Sequence, residues 1–287
     1  MSEPILRTRN SGFSGSGYAV PTDIRDGKPR IVPGVTTITG VTHKEGLIQW
    51  TADQVAAKAV TSLEPLLNRT EEEGFRYLRY ASSYALKEAA RNGTVVHEWI
   101  EAFTTGGFEP EIENIQQEEM VLQFLDWWKN NDTEIILTEA TVYNPGPGYA
   151  GTADGLWTIN SVKTMLDVKT GKHTYPEHWQ QLAALGAAPV AMRQVAEGEG
   201  AVYDTKSHGK TYWVEDVLPS FEEYAILRVR PNDYDASGEF KPAFCELKKI
   251  EQWRIDLSYD GFLGALELKK SERKIKEKEA ELQKEIF

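Results

Sequence analysis

The sequence predicts an α/β protein with most of its helices gathered ahead of most of its strands. Three observations carry that prediction. From residue 46 to about 130, apolar residues recur at helical spacing. From residue 134 the pattern switches to β-rich runs bounded by turn signals. The chain also has the bulk for a sizeable core: 287 residues, 40% of them hydrophobic, with 8 Trp, 12 Tyr and 10 Phe, which excludes wholesale disorder.

Residues 1–40 are rich in Gly, Ser, Thr and Pro. Runs 18–20 and 30–32 read as strands of a hairpin across Asp26-Gly27, leading into Val35-Thr36-Thr37-Ile38. Leu47, Trp50, Gln54, Ala57 and Val60 then recur about one turn apart and predict helix over 46–67. A second helix is expected over 71–91, with Phe75, Leu78, Tyr80 and Leu86, ended by Asn92-Gly93-Thr94. Residues 94–103 read as a separate short helix with Thr94 as its cap, closed by Gly106-Gly107. The last helix of this group runs from about 110 to 130 and carries Met120, Phe124, Trp127 and Trp128.

Beyond it, 134–142 (EIILTEATV) reads as a strand and 144–148 (NPGPG) as a tight loop. Residues 151–160 and 161–169 read as two more strands joined by a turn at Asn160-Ser161. A helix is expected over 176–188, with Pro176 in its first turn. Residues 200–204 and 210–214 read as a hairpin across Ser207-His208-Gly209, and 225–229 and 241–247 as further strands. Helix returns from residue 255. Its last part, 267–287, holds 7 Lys/Arg and 6 Glu, with Ile275, Leu282 and Ile286 too weakly spaced for a packed face. The expected organisation is one domain over 1–265 and a solvated charged helix over 266–287. No internal repeat is present.

Composition excludes several classes. Thirty-two basic residues against 44 acidic ones leave a net charge of −12, which argues against a nonspecific nucleic-acid coat protein but not against an enzyme holding nucleic acid in one groove. A single cysteine, Cys245, rules out an intramolecular disulfide, a cysteine-built zinc site and a self-held iron–sulfur cluster. There is no phosphate-loop signature for an ATP motor and no apolar run long enough to span a membrane. The first ten residues lack the apolar stretch of a signal peptide, so a cytoplasmic location is expected.

Chemistry concentrates in two predicted strands and the helix after them. Asp167 and Lys169, two apart on a strand, share a face, while Leu166 and Val168 point the other way. Taken alone, that pair describes a sheet edge with one wet face. Asp154, in Gly151-Thr152-Ala153-Asp154-Gly155, changes the reading, because a strand pair with a short turn can bring it beside Asp167. Two adjacent carboxylates repel unless a cation neutralises them, and oxygen ligands suit Mg²⁺. Lys169 could then orient a water or hold the anionic group under attack, as in metal-assisted hydrolysis at a phosphate. His97 lies among Val95, Val96, Trp99 and Ile100, with Glu98 and Glu101 near enough to orient it or reach a metal-bound water; the bland alternative is a satisfied core histidine. Gln181 alone is only a polar position on an amphipathic helix.

The order His97, Gly-Thr-Ala-Asp154-Gly, Asp167-Val-Lys169-Thr, then Gln181-Leu-Ala-Ala-Leu185 resembles the RecB-like branch of the PD-(D/E)XK nuclease superfamily, and more narrowly its bacteriophage-encoded exonucleases. Val35–Ile38 and the segment Lys44-Glu45-Gly46-Leu47-Ile48-Gln49-Trp50 resemble their amino-terminal region, so the likeness covers roughly residues 30–230. It implies a restriction-endonuclease-like core, a mixed central sheet flanked by helices. It also implies His97, Asp154, Asp167 and the Val168 carbonyl as metal ligands, and Asp154, Asp167, Lys169 and Gln181 as the catalytic set. Mg²⁺ is the implied cofactor, with Mn²⁺ able to substitute. The implied activity is a deoxyribonuclease trimming duplex ends in recombination, replication or repair. DNA is the implied partner, with a single-strand annealing or recombination protein as a candidate companion and the host cytoplasm as the location of a phage-encoded enzyme.

The family's glutamine precedes a tyrosine by four residues, whereas position 185 here is Leu. Relatives in the CRISPR-adaptation branch bind an iron–sulfur cluster through four cysteines, which this chain lacks. Two alternatives stand beside the exonuclease reading: a structure-specific or nicking endonuclease on the same core, and a non-catalytic DNA-binding or scaffold relative. Local cations Lys44, Lys58, Lys172, His173, His178, Lys206, His208 and Lys210 are candidates for phosphate binding, and Trp50, Tyr175 and Trp179 for base stacking.

Overall fold

A computed structural model describes residues 5–8, 15–25, 27–41, 45–195, 202–204, 211–234 and 239–286. In chain order the elements are β1 (Leu6–Thr8), β2 (Gly17–Arg25), β3 (Lys28–Pro33), α1 (Val35–Thr39), α2 (Glu45–Thr61), α3 (Leu63–Leu67), α4 (Glu71–Arg79), α5 (Ala81–Thr105) and α6 (Ile115–Lys129). They continue as β4 (Thr133–Asn144), β5 (Tyr149–Ile159), β6 (Val162–Lys169), α7 (Pro176–Gly186), β7 (Val190–Val195), β8 (Val202–Asp204) and β9 (Thr211–Val217). The last are β10 (Glu223–Arg230), β11 (Asp233–Tyr234), β12 (Phe240–Lys241), β13 (Phe244–Ile250) and α8 (Gln252–Ile286).

The central sheet has eight strands in the order β13-β10-β6-β5-β4-β7-β9-β8. Only the β10–β6 pair is parallel, so the sheet is mixed, as expected. Side-chain alternation sends successive residues of each strand to opposite faces. Met165 and Ile226 face a layer built by α1, α7 and α8, whose core includes Ile38, Leu182, Leu185 and Phe262. Leu166, Val168, Leu227 and Val229 face α5 and α6, packing on Val96, Trp99, Met120 and Phe124. A separate three-stranded sheet, β1-β2-β3, covers Tyr143, Ala150 and Met192. No helix among the described residues is long and apolar enough to cross a membrane.

Turn chemistry explains the β5–β6 hairpin. Asn160 and Ser161 both have positive φ, 49° and 69°, the mirror-image turn whose twist matches a two-residue hairpin. At the amino end β2 and β3 pair antiparallel, with Asp26 outside the described residues, and residues 35–39 continue as a short helix. The strand β7 has no counterpart in the sequence pattern; its residues, Val-Ala-Met-Arg-Gln-Val, lack a clean alternation.

Several helix boundaries differ from expectation, including a break at Ser62 that divides the helix expected over 46–67. Asn92-Gly93-Thr94 does not break the chain: α5 runs through it without interruption, and Thr94 caps nothing. The break lies earlier, at Tyr80 between α4 and α5. Tertiary contacts override the local preference. Asn92 is buried and hydrogen-bonded to α6 and its cap: its Nδ2 donates to Gln116 Oε1 at 2.9 Å, and its Oδ1 accepts from Asn114 Nδ2 at 3.0 Å and Gln117 Nε2 at 2.9 Å. Gly93 is where α5 crosses the end of β6, and a Cβ there would stand 2.7 Å from Thr170 Oγ1. The helix over 110–130 starts later than expected, at Ile115, because Asn114 caps it by accepting from the Gln117 N–H at 3.0 Å.

Candidate active site

The hairpin ladder of β5 and β6 runs from Ile159–Val162 to Gly155–Leu166. One residue further the strands part, and Asp154 and Asp167 stand on either side of the opening. The Asp154 carboxylate takes over as acceptor there, with Val168 N to Asp154 Oδ2 at 2.7 Å. Asp167 Oδ2 lies 2.5 Å from Lys169 Nζ, two residues on along the same face of β6. The two carboxylates stand directly opposite one another where the β5–β6 ladder ends, and the charge of Asp154 acts on Asp167.

His97 reaches the opening from α5, on the other face of the sheet. Its Nδ1 is 3.9 Å from Asp154 Oδ2, and the Val168 backbone lies beside the ring. Glu101, one turn along α5, faces the same cluster, whereas Glu98 is exposed. His97, Asp154, Asp167, Val168 and Lys169 are therefore one constellation.

Gln181 is a different case. It sits half-buried on α7, three residues past His178, and makes no hydrogen bond to Asp154, Asp167 or Lys169. Leu185 is fully buried, and a Cβ at Gly151 would stand 2.6 Å from its Cδ2, so position 185 packs the sheet against α7. That burial gives the departure from tyrosine a physical reason: this position serves the core, not the groove.

Sequence reasoning missed Glu139. The β4–β5 register sets it opposite Asp154, between the pairs Thr138–Gly155 and Ala140–Ala153, yet that pair is not formed. Glu139 instead has φ 45°. A non-glycine residue in this left-handed region costs roughly 1–2 kcal/mol, so the packing around it must hold it there. The available signal was a glutamate inside the apolar run EIILTEATV; the strained backbone itself is invisible to sequence.

Electrostatics follow from burial. Glu139 is pushed up to about 8, first by desolvation and then by Asp154, Glu101 and Asp167. Asp167 is pushed up to about 6 by burial, against the pull of Lys169. Burial also raises Asp154, opposed by Lys169 and by the Val168 N–H. His97 is pulled down to about 4 by desolvation and then by Lys169, so it is a neutral imidazole at pH 7. Lys169 is raised, because the surrounding carboxylates outweigh its own desolvation.

Among the described residues no three His, Cys, Asp or Glu side chains stand at ligand spacing for a metal ion. Lys169 Nζ lies on Asp167, and the Val168 N–H lies on Asp154. The donor set nevertheless fits a divalent cation. Asp154, Asp167 and Glu139 share one lysine, so without a further cation their mutual repulsion is relieved by protonation, and neither Asp167 oxygen has an aligned hydrogen-bond donor.

The other candidate residues disperse. Trp179 is buried in the core on α7, so it is no platform for a base, whereas Tyr175 is exposed and Trp50 half-buried. Lys58 lies over the Tyr77 ring on the amino-terminal helices, and Lys172 is ion-paired with Asp233. Lys44, Lys206, His208 and Lys210 lie outside the described residues, as does the turn of the hairpin between β8 and β9.

No family model and no curated protein matches the chain. Among solved structures, it is similar to one described as LHK-Exo in complex with dAMP, at 15% identity over 66% of this chain and 85% of that one, with a TM-score of 0.31. At that TM-score, fold and activity rest on this chain's own residues.

Proposed function

We propose that this protein is a metal-dependent deoxyribonuclease of the PD-(D/E)XK type that hydrolyses phosphodiester bonds from the ends of duplex DNA. The observation that carries the reading is the convergence of Asp154, Asp167 and Lys169 at the parting of β5 and β6, in a buried cluster with more carboxyl groups than cations. Asp154, Asp167, the Val168 carbonyl and the neutral His97 would hold Mg²⁺ or Mn²⁺, and Glu139 on β4 stands opposite Asp154. When bound, such an ion lowers the pKa of a water and neutralises charge developing on the phosphate.

The chain's own groups do the rest. Lys169 carries positive charge into the pocket and can donate to a phosphate oxygen or to the attacking water. The Val168 N–H keeps the Asp154 carboxylate oriented. His97 keeps a lone pair free at neutral pH because it is desolvated. The apolar layers on the two faces of the sheet lower the local dielectric, which strengthens each of these interactions.

The test compares linear duplex with covalently closed circles in Mg²⁺. Linear DNA is degraded progressively, closed circles survive, and EDTA stops the reaction. Lys169→Ala lowers the rate by roughly 100-fold or more while retaining metal binding by calorimetry. Asp167→Asn loses both. Rapid linearisation of closed circles would favour an endonuclease, and inertness of the folded, metal-loaded protein toward all DNA would leave a binding or scaffold role.

A further inference from the structure

Most cations around the site have carboxylate partners: Arg228 with Glu246, Lys172 with Asp233 and Lys249 with Glu223. Two exposed cations do not. Among the described residues neither Lys248 on β13 nor Arg254 on α8 has a carboxylate partner, in a chain of net charge −12. Both are gathered on the ring of Trp179: Lys248 Nζ is 5.6 Å from its centroid and Arg254 Cζ 5.9 Å. Lys248 Nζ also donates to Thr174 Oγ1 at 3.2 Å, in the segment between β6 and α7.

Sheet register places Lys248 beside the Asp154–Asp167 cluster. Asp167 on β6 pairs with Ile226 on β10, which pairs with Lys248 on β13, so Asp167 and Lys248 share one cross-strand row. Residues in such a row point to the same face. Two strand spacings separate them, about 10 Å, which is too far for the phosphate at Asp167 and suitable for a neighbouring one. Arg254 approaches the same ring from the first turn of α8, beside the exposed Trp253.

We propose that Lys248 and Arg254, held side by side on Trp179, form a phosphate clamp that grips the DNA backbone next to the scissile phosphodiester. The clamp rests on the nuclease reading of the neighbouring site. Its two cations come from segments far along the chain from the Asp154–Lys169 hairpin, and the buried indole fixes their spacing. Because both charges are unpaired, an incoming phosphate meets them without first breaking an internal ion pair.

The experiment measures binding of a fluorescein-labelled duplex oligonucleotide by anisotropy, in EDTA, over a series of salt concentrations. On duplex DNA, every phosphate that a protein cation neutralises adds about 0.9 to the steepness of log affinity against log salt. Lys248→Gln with Arg254→Gln, which keeps side-chain bulk over the indole, is expected to flatten the slope by about 1.8, so a fourfold rise in salt costs it about 12-fold less affinity than wild type. Lys248→Arg keeps the slope, and Lys249→Ala, removing a lysine already paired with Glu223, leaves it unchanged. An unchanged slope in the double variant, with or without a fall in melting temperature, overturns the clamp and leaves the cations as a cover for Trp179. Failure of the wild-type protein to bind duplex overturns it as well. Should the double variant not fold, Lys248→Gln alone decides, with an expected change of about 0.9. A clamp that shows in the slope of a protein that cuts no DNA would overturn the nuclease reading and not the clamp.

Discussion

Glu139 concentrates the tension at this site. Its carboxyl is held up to about 8, against 4.5 for an unperturbed group, chiefly because it is desolvated and faces other carboxylates. The native state thus binds a proton that the unfolded chain releases between those values. Its contribution to stability is full below about 4.5, falls as pH rises and is gone above about 8. Metal-free protein is therefore expected to melt lower at pH 8.5 than at pH 5.5 by several degrees, and Glu139→Gln to lose most of that dependence. Thermal melts of both proteins in EDTA across this range decide it; equal pH slopes would show that the carboxyl is not proton-loaded in the native state. Of this residue the sequence shows only a glutamate in an apolar strand. The sequence pointed to Asp154, Asp167 and Lys169 through strand period and to His97 through the order of motifs, whereas the positive φ of Glu139 arises from strand pairing across the sheet.

At the scale of elements, α5 shows how a local rule loses to a tertiary one. Asn-Gly-Thr is turn chemistry in isolation, and nothing nearby in the sequence announces that Asn92 will be satisfied by α6 or that Gly93 will lie under Thr170. The consequence is testable. Replacing a helical glycine with alanine normally adds up to about 1 kcal/mol of stability. Here Gly93→Ala is expected to destabilise by about 1–2 kcal/mol, since the new methyl meets Thr170 Oγ1. Thr170→Ala removes that oxygen, so the double variant recovers the loss and gains the helix-propensity benefit. Urea midpoints of the single and double variants test the coupling. The β5–β6 hairpin needed no such rescue: Asn160-Ser161 and the flanking alternation already specify it. By contrast β7 has no signature of its own and is a strand because β4 and β9 pair with it.

Over the whole molecule, apolar burial ends well before the last helix does. Phe262, Ala265 and Leu266 pack into the core and Lys269 is buried, but Ile275 and Leu282 are 59% and 47% exposed. Beyond them the helix carries surface pairs such as Arg273–Glu277 and Lys278–Glu281, each worth well under 1 kcal/mol. Truncation after Lys274, which keeps the Lys269–Glu272 pair, is expected to leave the unfolding free energy from urea melts within about 0.5 kcal/mol of the full chain. A larger, concentration-dependent loss would mean that the tail packs against a second molecule. The charge pattern sets the expected solvated segment at 266–287, whereas Leu266 and Lys269 are buried and the single continuous helix from Gln252 had to come from the structure.

The hairpin that parts at Asp154 and Asp167 has a kinetic corollary. It is a local, two-residue-turn structure, the kind that forms within microseconds, while the parallel β6–β10 pairing must wait for an intervening crossover. If the hairpin belongs to the folding nucleus, its two carboxylates oppose each other in the transition state, before the rest of the pocket exists. Asp154→Asn should then speed refolding and leave the unfolding limb of the chevron nearly unmoved, making the site's negative charge a brake on the route to the native state. A change confined to the unfolding limb would place the meeting of these two groups after the barrier.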